Sequence, residues 1–105
     1  MSRGPDAEAL LRRALEASAE AAGCPAALVA SDWTRWASAT FTGARHLLTL
    51  AAPPSAALDA WIAGLPDAEL RLRRHLVADL VVDHVRRAGD RVTISLEVLT
   101  VEEGR

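Results

Sequence analysis

The sequence predicts an α+β two-layer sandwich. An antiparallel sheet of about four strands, arising in the order helix, hairpin, helix, hairpin, carries its helices on one face. Three observations predict it. In the last third of the chain two β-rich runs, His75 to Arg86 and Asp90 to Val101, flank a glycine-containing break. A second, less regular pair of β-rich runs lies between Ala26 and Ala52. Each pair is preceded by a stretch with helical spacing of its apolar residues. At 105 residues the chain fits one domain, residues 1–105, large enough to bury roughly two-thirds of its unfolded surface.

The first helix is expected over Asp6 to Ala22. Pro5 and Asp6 suit a helix start, and Gly23 followed by Pro25 suits its stop. Leu11, Ala14, Leu15, Ser18 and Ala22 form a narrow apolar stripe, flanked by Leu10 and Ala21. Small residues in that stripe permit close packing on a sheet but bury little area each. Cys24, the one cysteine, excludes an internal disulfide and reads as a small buried filler.

In the first hairpin Val29, Trp33, Trp36 and Phe41 supply β-formers, and Thr42-Gly43 is the expected break before Arg45 to Ala52. A bulge or short turn is expected at Ser31-Asp32. His46, Leu48, Leu50 and Ala52 are the expected core face, with His46 at its rim. Trp33 and Trp36, three positions apart, should point to opposite faces. Pro53-Pro54 ends the strand. Ser55 then caps a short helix whose apolar face is Leu58, Trp61, Ile62 and Leu65, with Trp61 expected in the core.

The closing hairpin is expected to turn through Arg87-Ala88-Gly89, with Gly89 left-handed and Arg86 opposite Asp90. Simple alternation then sets Val82 against Ile94 and Leu80 against Leu96 on the core face. The outer face would carry His75, Val77, Asp79, Val81, Asp83 and Val85 on one strand and Glu97, Leu99 and Val101 on the other. Asp79 would stand opposite Glu97, an unfavourable like-charge pair unless compensated. Two helices cover only one face of such a sheet, so this half-apolar outer face is the expected interface. Its candidate residues are Val77, Val81, Leu99, Val101, Asp79 and Glu97, and its expected occupant is a second copy or another protein.

A net charge of −2 gives no electrostatic case for a nucleic-acid partner. All twelve basic residues are arginine, with asparagine, glutamine and tyrosine also absent, a bias that fits a GC-rich genome better than a guanidinium requirement. Ser-Arg-Gly-Pro-Asp follows Met1 in place of an apolar signal core, and no apolar run approaches spanning length. The expectation is a cytoplasmic protein with no membrane partner. His75 and Asp83 lie about 13 Å from Asp79 at strand rise, too far to share one ion with it, so no metal is expected. No nucleophile, base and orienting group can be specified from spacing, so no catalytic residue and no cofactor is assigned. The alternative to an interaction module is a small-molecule or anion site between the sheet and the Trp61 helix, with His46, Trp36 and Arg45 as candidate ligand-binding residues. The run Phe41-Thr-Gly-Ala-Arg-His46 resembles the Phe-x-Gly and Arg-His elements of BolA-like proteins, which also begin with a helix and two strands. The Gly to Arg-His spacing is shorter here and the two long closing strands depart from that pattern, so no residue role is carried over.

Overall fold

A computed structural model describes residues 4–103, with the side chains described from Ala7 onward. The expectation drawn from the first three residues lies outside that range. The order is α1 (Gly4–Ala21), β1 (Ala27–Ala37), β2 (Thr42–Ala52), α2 (Ala56–Gly64), a single 3-10 turn (Leu65–Asp67), β3 (His75–Ala88) and β4 (Arg91–Glu102). The four strands form one antiparallel sheet in the order β1-β2-β4-β3. The expected α+β sandwich is therefore present. Its centre is β2 and β4, while β1 and β3 are edges.

The helix ends follow from local chemistry. Gly23 takes a φ of +84°, its N–H donates to Glu20 O at 3.0 Å, and Cys24 N–H donates to Ala19 O at 2.9 Å. These two bonds make a Schellman cap, and the residue after the glycine is turned back onto the last helical turn. That explains why Cys24 is buried, and burial pushes its thiol up from the ordinary value. The buried stripe of α1 is Ala7, Leu11, Leu15 and Ala19; Ala22, expected on it, is exposed because the helix ends one residue earlier. At α2, Ser55 Oγ accepts from Leu58 N at 3.0 Å, as expected of an N-cap.

Trp61 lies in the core at 8% exposure, and its indole N–H donates to Ser18 Oγ of α1 at 2.9 Å. The two helices are thus tied to each other as well as to the sheet. Against them the sheet presents Leu48 and Leu50 of β2 and Val92, Ile94, Leu96 and Val98 of β4, all almost fully buried.

The hairpins depart from simple alternation in three places. The β1–β2 tip is Ser38–Phe41, closed by Ser38 N–H donating to Phe41 O at 2.7 Å, and not Thr42-Gly43. Phe41 sits in that tip, exposed, and is no strand residue. The irregularity in β1 falls between Leu28 and Ala30, not at Ser31-Asp32. The β3–β4 loop is Gly89-Asp90, with Ala88 paired to Arg91 and Gly89 at φ +63°. Positive φ at the first loop residue alone is the pattern of a II′ turn, which matches strand twist better than the three-residue loop expected.

The largest correction concerns β3. Ala78 and Asp83 are extra residues in the β3–β4 ladder, at irregularities between Val77 and Asp79 and between Val82 and His84. Each bulge reverses the alternation beyond it. Leu80 and Val82 keep the expected inward direction, but they pair with Val98 and Leu96. At the two ends the faces are exchanged. His75, Val77 and Val85 turn toward the helices, while Leu76 and His84 turn away.

Candidate functional site

The outer face of the sheet can be read row by row from the register. The first row is Trp36, Gly43, Val101 and Leu76; the second is Thr34, Arg45, Leu99 and Asp79; the third is Asp32, Leu47, Glu97 and Val81. Two further rows are polar or small, with Ala30, Thr49, Ser95 and His84, then Thr93 and Arg86 beside Ala51. The face therefore carries its large apolar side chains in the first three rows, interleaved with the charges of Asp32, Arg45, Asp79 and Glu97. No helix of the described chain covers this face, since the buried side chains of α1 and α2 belong to the core on the other side. Within the first three rows Leu76 is 55%, Leu47 52% and Val81 46% exposed.

Of the residues expected at an interface, Val81, Leu99, Val101, Asp79 and Glu97 lie on this face. Val77 does not: the Ala78 bulge turns it onto the core, opposite Thr100. The two-residue loop and the Asp83 bulge, both on the turn side of Asp79, remove the expected like-charge pair. Asp79 stands opposite Leu99, Glu97 stands opposite Val81, and Glu97 Oε2 reaches Arg45 Nη1 at 3.3 Å. That ion pair is largely solvated and contributes little to stability by itself.

Sequence reasoning missed Leu47 and Leu76. Leu47 was legible from alternation along β2, since His46 and Leu48 face the core. Leu76 was not, because its direction depends on a bulge.

Gly43 holds the apolar row together. Trp36 is its partner on β1, and the indole lies over the glycine: a Cβ placed there would come within 2.9 Å of Trp36 Cζ2 and 1.9 Å of Thr100 O. Any side chain at 43 would push β2 from β4 and displace the indole. A shallow, open concavity beside this contact is lined by Thr34, Trp36, Arg45 and Leu99.

His46, grouped with Trp36 and Arg45 as a ligand set, lies on the opposite face. It is fully buried, and its Nε2 is 3.0 Å from Thr100 Oγ1. Thr100 Oγ1 donates in turn to Ala44 O at 3.4 Å, so the hydroxyl accepts from His46 and the proton sits on Nε2. Burial pushes the His46 pKa below its ordinary value, with His75 adding to the shift and Glu8 of α1 opposing it. His46 Nδ1 and His75 Nδ1 have no hydrogen-bond partner among the described residues.

Beside His75 and Thr100 is a crevice of about 10 Å³, room for about one water. It is too small for an organic ligand. The space between the Trp61 helix and the sheet is filled by Leu58, Trp61 and Leu65 packed on the strands, so the three ligand candidates are not brought together there. Among the described residues no group of three or more His, Cys, Asp or Glu is placed to hold a metal ion, and no helix is long and apolar enough to cross a membrane.

No protein-family model matches the chain. No curated protein matches it. Among solved structures it is similar to a chain described as "Virion of native gene transfer agent (GTA) particle", with 24% identity and a TM-score of 0.48, over 77% of this chain and 69% of that one.

Proposed function

We propose that the chain is a protein-interaction module that self-associates through the first three rows of its outer sheet face. The observation that carries this is the exposure of Leu47, Val81 and Leu76 on two strands of one uncovered sheet, beside Leu99 and Val101 of the strand between them. Several large apolar side chains exposed on one face of a small domain mark an association surface more often than ones scattered singly do.

The sheet edges argue for the face over edge pairing. Glu16 of α1 accepts from Leu28 N–H of β1 at 2.9 Å, and Glu8 meets the Ser31 hydroxyl. The edge strand β3 carries both bulges and the charges Asp79, Asp83, Arg86 and Arg87. Bulges, charges and a covering helix are the means by which edges are kept from adding strands. A small-ligand reading has one feature in its favour, the Trp36–Arg45 concavity, which would bind an anion beside an aromatic surface.

Sedimentation velocity of the full chain at tens of micromolar, with and without Val81→Arg, tests the reading. A wild-type dimer that Val81→Arg converts to a normally melting monomer supports it, because a charge buried in an interface is costly whereas an exposed one is nearly neutral. A wild-type chain that stays monomeric defeats it.

A further inference from the structure

We infer that the partner is a second copy related by a two-fold axis that runs along β4, so that Arg45 of each copy meets Asp79 of the other. The inference rests on the face named above and specifies how two copies meet there.

Register decides how two such faces meet. Two sheets packed face to face by a two-fold lying parallel to their strands exchange positions across the axis strand and keep their rows. On this face β2 and β3 are the two neighbours of β4, each about 4.8 Å away. An axis along β4 therefore lays each β2 over the partner's β3. In the second row that sets Arg45 against Asp79, with Leu99 against its own copy. In the third row it sets Leu47 against Val81. In the first row it sets Leu76 over Gly43, the one position of β2 on this face without a side chain, and Val101 against itself. Charge meets opposite charge, and the two most exposed apolar residues of the third row meet each other. The most exposed apolar side chain of β3 meets the edge of an indole laid across a glycine.

The alternative axes do worse. A two-fold parallel to the strands but running through the β2–β4 gap puts Arg45 over Leu99 and Thr34 over Asp79. Passed along β2 instead, it places Arg45 on Arg45. A two-fold lying across the strands at the second row does the same and also sets Asp79 on Asp79. The cost of the β4 axis is that the two Glu97 carboxylates approach each other near it. Each is already paired to the Arg45 of its own chain at 3.3 Å. Arg45 then bridges its own Glu97 and the partner copy's acid in the second row, which is the five-donor fork used on two carboxylates. The β1 backbone falls outside the overlap, so Trp36 stays at the rim.

Two charge-reversed variants of the full chain, Arg45→Glu and Asp79→Arg, test the axis by mixing. Each variant alone faces like charges at both symmetry-related contacts, and should be monomeric at a concentration where the wild type is dimeric. In an equimolar mixture the two introduced side chains, opposite in charge, meet at one contact, and the native Asp79 and Arg45 meet at the other. Mixing should restore dimers to within about tenfold of the wild-type dissociation constant, as heterodimers by native mass spectrometry. If Val81→Arg abolishes the wild-type dimer but the mixture stays monomeric, or if either variant alone dimerises as the wild type does, the axis is wrong and the face remains. If the wild type is monomeric, both the face and the axis fall together.

Discussion

Gly43→Ala is the most demanding test of the sheet. A Cβ at 43 would lie 1.9 Å from the Thr100 carbonyl oxygen and 3.0 Å from its carbon, both backbone atoms of β4, and 2.9 Å from Trp36 Cζ2. A flexible side chain could move aside, but the Thr100 backbone is fixed by the β2–β4 ladder on either side, where Ala44 pairs with Thr100 and Gly43 with Val101. Forcing even one methyl into a packed site costs about 1–3 kcal/mol, and a clash with backbone belongs at the upper end. Displacing the strand also disturbs the bonds from His46 to Thr100 and from Thr100 to Ala44, adding about 1 kcal/mol. The expected total is a loss of about 3–4 kcal/mol, which for a domain of this size lowers the thermal midpoint by about 12–25 °C.

Urea melts followed by far-ultraviolet circular dichroism measure it. Trp36→Ala is the companion variant, since it relieves the indole contact and leaves the backbone clash. Gly43→Ala in the Trp36→Ala background should therefore still cost about 2 kcal/mol or more. If Gly43→Ala is within about 0.5 kcal/mol of the wild type, Gly43 does not stand against Thr100, and the rows of the outer face must be redrawn.

Three other outcomes are expected. Trp61→Ala should cost about 3–5 kcal/mol, because it empties a core position and strands Ser18; Trp61→Phe should cost clearly less, and equal midpoints for wild type and Trp61→Ala in thermal melts would remove Trp61 from the core. Gly89→Val should destabilise by about 1 kcal/mol or more and Gly89→Asn by less, since the φ of +63° resists a β-branched residue; equal losses in urea would contradict the II′ loop. His46 has a folded pKa below its ordinary 6.5, so its contribution to stability is complete above that value and is lost as the pH falls through it toward the folded pKa, where the unfolded chain takes up the proton first. The urea midpoint should therefore drop as the pH is lowered through 6.5, and His46→Leu should flatten that drop; an equally steep drop in the variant would show that His46 does not cause it.

Much of the fold was legible because helix starts and stops are local. Gly23, Ser55, Pro53-Pro54 and Gly89 each act through their own backbone or their nearest neighbours, and each does in the structure what its residue type implies. The opposite directions of Trp33 and Trp36 were legible for the same reason, since alternation over three residues needs no knowledge of the partner strand. The strand order was not legible, because the β2–β4 pairing joins residues about fifty positions apart and leaves no mark in either strand. Nor were the β3 bulges. Ala78 and Asp83 are ordinary strand-compatible residues in sequence, and what makes them extra is the match between two long strands.

Those bulges have a physical rationale that only the assembled sheet reveals. Without them, strict alternation along β3 would place Val77, Val81 and Val85 outward with Asp79 and Asp83 between them, and His84 inward on the core. With them, Val77 and Val85 join Leu80 and Val82 against the helices, and His84 is returned to solvent. Two unpaired residues cost local ladder hydrogen bonds, and the exchange buries two valines and returns the His84 imidazole to water while it buries His75 and exposes Leu76. The row of Asp79 is set separately, by the Gly89-Asp90 loop together with the Asp83 bulge, which put it in line with Leu99, Arg45 and Thr34 and out of line with Glu97. In that row one acid and one arginine stand on either side of Leu99, with Glu97 and Asp32 in the next row. Ala78 is itself the extra residue, so deleting it makes Val77–Thr100 and Asp79–Leu99 consecutive pairs of a regular ladder and should leave core and dimer standing, whereas Asp79→Arg should damage the dimer alone.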